Sequence, residues 1–117
     1  MWVMMSDSFV SIVQDNTDLN SVVVRARVEE DLEDLFPEHS AEIVETDDSD
    51  YRFRLFLDKL YVADRIKERV LDIDYFNFKD SVEQSWRKIA YLKIWQVLYD
   101  VQQKMYEKTP WWVNYRE

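Results

Sequence analysis

A chain of 117 residues with 47% apolar and 15% aromatic side chains holds enough material for the core of one domain, so neither a metal nor a disulfide is needed to fold it. It contains no cysteine, which excludes disulfides, thiolate zinc sites, iron–sulfur clusters and cysteine nucleophiles. It contains no glycine either, which excludes phosphate-cradling glycine loops, dinucleotide fingerprints and the G-x-S-x-G elbow, while a net charge of −9 opposes nucleic acid phosphate and favours basic surfaces.

The opening MWVMMSDSFV is apolar but has no basic n-region, and Asp7 interrupts it early, so no secretory signal is expected. FVSIVQ (9–14) and SVVVRARV (21–28) are β-branched runs separated by a polar loop, the pattern of a hairpin. With no glycine, its turn falls to Asp15, Asn16, Asp18 and Asn20, and a later one to Asp47, Asp48 and Asp50. EEDLEDLF (29–36) predicts a short helix with acid at its positive end, closed by Pro37. AEIVET (41–46) and YRFRLFL (51–57) predict a second hairpin around DDSD.

Asp58 is placed to cap a helix reaching Leu71, with Leu60, Ala63, Ile66 and Val70 along one face. After the aromatic loop DIDYFNFKD, Asp80 and Glu83 have capping-box spacing, and Trp86, Ala90, Ile94, Val97, Val101 and Met105 carry a long helix to about Glu107. Thr109 and Pro110 stop it, leaving 108–117, which ends in WWVNYRE, as a flexible or docking tail. No run reaches the ~18 apolar residues of a membrane span, and a cytoplasmic setting is the expectation. The order ββαββαα implies one α+β domain over 1–117. Its four-stranded, mostly antiparallel sheet would be related to the ferredoxin-like order, with helices on one face and a long C-terminal helix.

Three features bear on function. Residues 1–58 hold 15 acidic and 4 basic side chains, a net of −11, so Glu29, Glu30, Asp31, Glu33 and Asp34 on the first helix form an acidic surface for a basic partner. All four arginines of that half lie in predicted strands. Alternation sends Val22, Val24, Ala26 and Val28, with Tyr51, Phe53, Leu55 and Leu57, to the core and Arg25, Arg27, Arg52 and Arg54 to the other face. Such a patch fits an anion, an RNA or an acidic peptide; salt bridges to Glu42 or Glu45 are the structural alternative. Phe56 is the one aromatic expected on that face, which argues against RNA.

The long helix, finally, is apolar beyond one stripe. Tyr91 and Trp95, with Trp111 and Trp112 in the tail, form a surface for a protein partner or a second copy. His39 stands alone, without the base and oxyanion donors of a triad, and Asp47, Asp48 and Asp50 lack the glycine and glutamate of a calcium loop. No metal, cofactor or catalytic residue is assigned.

The strings SFVSIV, VVVRARV, DYRFRLFL, IDYFNFKDSV and AYLKIW together resemble a set of short uncharacterised bacterial proteins. The resemblance spans about residues 8–101 and implies a single compact domain without indicating a mechanism. The leading expectation is therefore a non-enzymatic acidic interaction module, an inhibitor or regulator of bacterial or phage origin that docks on a basic protein. An RNA- or anion-binding domain built on the arginines comes second, and an enzyme using an unrecognised carboxylate site third.

Overall fold

Alternating apolar strands with one polar side must bury their apolar side against helices. The computed structural model describes residues 1–47 and 49–107, and shows how this is done. The elements in order are β1 (Trp2–Met4), β2 (Phe9–Gln14), β3 (Ser21–Ala26), α1 (Glu29–Leu35), a 3-10 helix (Pro37–Glu42), β4 (Val44–Glu45), β5 (Phe53–Asp58), α2 (Lys59–Leu71), α3 (Phe78–Ser81) and α4 (Ser85–Lys104). The chain is α+β, with an antiparallel sheet and a long C-terminal helix. Its described contacts fall into two compact units, Met1–Phe76 and Asn77–Glu117.

The sheet of the first unit has five strands, not four, in the order β1-β2-β3-β5-β4, with every neighbouring pair antiparallel. The added strand is the N-terminal lead-in, where Val3 pairs with Val10. Three residues are too few to display an alternation, which hides β1 from a reading of periodicity. The strand expected over 41–46 shrinks to Val44–Glu45, because Pro37 starts a 3-10 turn that carries Ala41 and Glu42 with it.

On the inner face Val10, Ile12, Val22, Val24, Ala26, Leu55 and Leu57 pack against Leu32, Leu35 and Phe36 of the α1 region and Val62 of α2. The carbonyls that end α1 receive cations from α2: Arg65 Nε donates to the Leu35 oxygen at 2.9 Å and Arg69 Nη2 to that of Asp34 at 3.4 Å. Arg69 also binds Asp7 at 2.6 Å, fastening the β1–β2 loop to α2.

No described residue takes a positive φ, so the absence of glycine costs this backbone nothing. The turns are held by carboxylates instead. Asp15 Oδ1 accepts from the Thr17 amide at 2.9 Å, and Asp18 Oδ1 from that of Asn20 at 2.9 Å. The Asn20 amide, helped by the Ser21 hydroxyl, keeps the Asp18 carboxyl below its usual range.

Asp58 caps α2 by accepting from the amides of Leu60 at 2.9 Å and Tyr61 at 3.1 Å. Asp58→Ala is expected to cost about 1 kcal/mol in chemical denaturation, with the slope of the transition unchanged.

In the second unit the capping box at Asp80 does not form. Asn77 caps α3 by accepting from the Lys79 amide, Val82 is extended, and α4 begins only at Ser85 without a side-chain cap. Two helices therefore stand where one was expected. Among the described residues no helix is long and apolar enough to cross a membrane.

Candidate functional site

The outer face of the sheet is assembled by register. Arg25 of β3 stands opposite Arg54 of β5 on one side and Ser11 of β2 on the other, and Ser11 stands opposite Trp2 of β1. Like charges placed directly across a strand pair destabilise it unless an anion intervenes. Here neutral hydroxyls hold them: Arg25 Nη2 donates to Ser11 Oγ at 2.7 Å, and Arg54 Nη2 donates to Ser49 Oγ. Nε of both Arg25 and Arg54 is buried with no hydrogen-bond partner.

Arg27 joins them from the bend after β3. Its guanidinium carbon and that of Arg25 each lie 4.4 Å from the centroid of the Tyr51 ring, and Arg27 is also 5.7 Å from that of Phe9. Tyr51, 4% exposed, is thus enclosed by cations on the outer face and does not share the core of Phe53 and Leu55. Strand geometry begins at Phe53, so the alternation expected from Tyr51 onward fails at the bend before it. Trp2 packs edge-on against Phe9 at 5.6 Å, and Trp2 (64% exposed) and Phe56 (53%) present apolar surface to solvent.

The fourth arginine does not belong to this group. Arg52 binds Glu45 at 2.8 Å and Asp47 at 3.2 Å. The Glu45 hydrogen bond, with Asp47 nearby, raises the Arg52 pKa further above its ordinary value. The cross-strand pairing that competes with a binding role is therefore realised at Arg52, whereas no carboxylate among the described residues pairs with Arg25, Arg27 or Arg54.

Of the acidic surface, Glu29, Glu30 and Asp34 are exposed and Glu33 half-buried, but Asp31 is buried, with one carboxylate oxygen accepting from the Phe9 amide at 3.0 Å. Asp31 fastens α1 to β2 and is no part of an exposed face. In the second unit Tyr91 is buried and stacks on Phe78 at 5.6 Å, whereas Trp95 is 48% exposed, stacks on Tyr99 at 5.0 Å and lies under Lys79 at 5.5 Å. Trp111 and Trp112 lie outside the described residues, as does the tail over 108–117 and Asp48 of the DDSD turn. His39 sits edge-on to Tyr61 and pairs with Glu42 on the 3-10 helix. Among the described residues no cluster of His, Asp or Glu is arranged to hold a metal ion.

Sequence reasoning missed Trp2, Phe9 and Tyr51 on the arginine face, and Ser11 and Ser49 as the hydroxyls that orient the guanidiniums. The strand parity of Phe9 and Ser11 was available as a signal; the inversion at Tyr51 was not. The chain matches no family model, no curated protein and no solved structure.

Proposed function

We propose that the chain is a non-enzymatic binding module whose outer sheet face receives an anionic segment of a protein partner. One observation carries this reading: Arg25, Arg27 and Arg54 gather on a single face, and no carboxylate among the described residues pairs with them, in a chain that has 24 acidic side chains. Serine hydroxyls and the Tyr51 ring orient the guanidiniums and leave their charge available. A carboxylate can take two parallel hydrogen bonds from one such group. Trp2 and Phe56 suit apolar residues beside that carboxylate. A net charge of −9 favours a short segment over a polyphosphate, whose length would bring it into the field of the remaining acids.

A second reading has an observation of its own. The carboxylates of Glu29, Glu30, Glu33 and Asp34 on α1 form no ion pair among the described residues, which suits docking on a basic partner as an inhibitor or regulator in the cytoplasm.

Fluorescence anisotropy with two labelled probes separates the readings. One probe is a peptide alternating glutamate with leucine and phenylalanine, and the other a single-stranded oligouridylate. The peptide is expected to bind, and Arg25→Ala with Arg54→Ala to weaken it about tenfold or more. Preferential binding of the oligouridylate would overturn the protein-partner reading. Binding of neither probe, with capture of a lysine-rich peptide instead, would favour the acidic surface.

A further inference from the structure

Between α2 and the inner face of β2 and β3, away from the arginines, lies an open cavity of about 380 Å³, within the size of small-molecule sites. Buried Ile12, Val22 and Val62 line it, and Ala63 and Ile66 extend the wall along α2. Met1 also borders it, its nitrogen donating to the Ile12 oxygen at 2.8 Å. Lys59 stands one turn before Val62 and Ala63 on the same face of α2, and among the described lining residues it supplies the only polar side chain.

That cation is held in place by a neutral group. Gln14 Nε2 lies within hydrogen-bond distance of the carbonyls of Asp15 at 3.1 Å, Asp18 at 3.2 Å and Ser21 at 3.0 Å, which fixes the orientation of its amide. The amide oxygen accepts from Lys59 Nζ at 2.7 Å, and the Lys59 amide donates to the Asn20 oxygen at 2.9 Å. An ammonium has three donors, so Gln14 leaves two of them and the whole charge unspent. No carboxylate among the described residues pairs with Lys59. The acids of the adjoining segments are engaged elsewhere: Asp58 caps α2, and Asp15 and Asp18 hold the turn.

We infer that this cavity binds an aliphatic monocarboxylate of medium chain length, its carboxylate on Lys59 Nζ and its chain between α2 and the strands. An apolar cavity with one positive group at its edge is complementary to an apolar chain with one negative end. The lining side chains include no aromatic ring, hydroxyl or amide, so nothing there would stack on a base or orient a sugar. The site lies on the opposite side of the sheet from Arg25 and Arg54 and does not depend on the function proposed for that face.

Isothermal titration with butyrate, hexanoate and octanoate tests it. Binding to the unaltered chain is expected to tighten by about fourfold for each methylene added, the increment for taking one out of water. Lys59→Met keeps the stem and removes the ammonium, and is expected to weaken octanoate about tenfold or more while leaving octanol unchanged. The Arg25→Met, Arg54→Met variant is expected to bind octanoate as the unaltered chain does. Absence of octanoate binding by the unaltered chain would overturn the inference without recourse to any variant. So would an affinity that does not respond to chain length, or undiminished binding of octanoate by Lys59→Met. Loss of octanoate binding in the arginine variant would place the ligand on the outer face and overturn it as well.

Discussion

Phe36→Ala is expected to lower the unfolding free energy by about 3–5 kcal/mol, the range for removing a large buried ring. Phe36 is fully buried and serves several parts of the structure. Its amide closes α1 on the Leu32 oxygen at 2.8 Å, and its carbonyl accepts from the His39 amide at 3.0 Å. Its ring meets Tyr61 of α2 at 6.0 Å. The first unit packs its two helices against the sheet through this region, so alanine leaves a cavity that neighbours cannot close without moving a helix. Against the ~5–15 kcal/mol that holds an ordinary domain, such a loss takes a large share of the margin. Urea unfolding followed by circular dichroism measures it. A loss below about 1 kcal/mol would mean that Phe36 is not the keystone its position suggests.

Arg54→Met, by contrast, is expected to stabilise the protein, by about 1–2 kcal/mol. Core-adjacent residues usually lose stability when changed, so the opposite sign is diagnostic. Arg54 stands opposite Arg25, its Nε is buried without an acceptor, and its recorded hydrogen bond goes to a neutral serine. A buried donor left unpaired costs about 1–3 kcal/mol, and the juxtaposed charges add to that. Methionine keeps the unbranched stem that packs on the sheet while removing both penalties. The substitution should at the same time weaken capture of an acidic peptide, because it removes one of the guanidinium charges that an incoming carboxylate would meet. A destabilisation equal to that of an ordinary surface truncation would show that Arg54 already has its stabilising partners within the chain.

How far these features could be read in advance follows from local chemistry. β2, β3, β5 and α2 were legible because each runs long enough to display its period, and Asp58 announced the start of α2. β1 and α3 were not, since three or four residues show no period and tertiary pairing decides them, while β4 was expected over 41–46 and forms only at Val44–Glu45. At the site, parity along β3 and β5 correctly sent Arg25 and Arg54 to the outer face. It failed for Tyr51 and Arg52, where a bend precedes β5: the ring passes to the guanidiniums and Arg52 turns to Glu45 and Asp47. The helical spacing of α1 likewise gave no hint that Asp31 alone among its acids would be buried, because that depends on the Phe9 amide reaching it from β2.

Whether the outer face takes up an anion on its guanidinium groups is tested by melting temperature in citrate against chloride at matched ionic strength. A ligand that binds only the folded state raises its melting temperature. Anion binding on the guanidiniums predicts a larger rise in citrate for the unaltered chain than for the Arg25→Met, Arg54→Met variant, whose remaining shift reports the general exclusion effect of the salt. Equal shifts in the two proteins would contradict it.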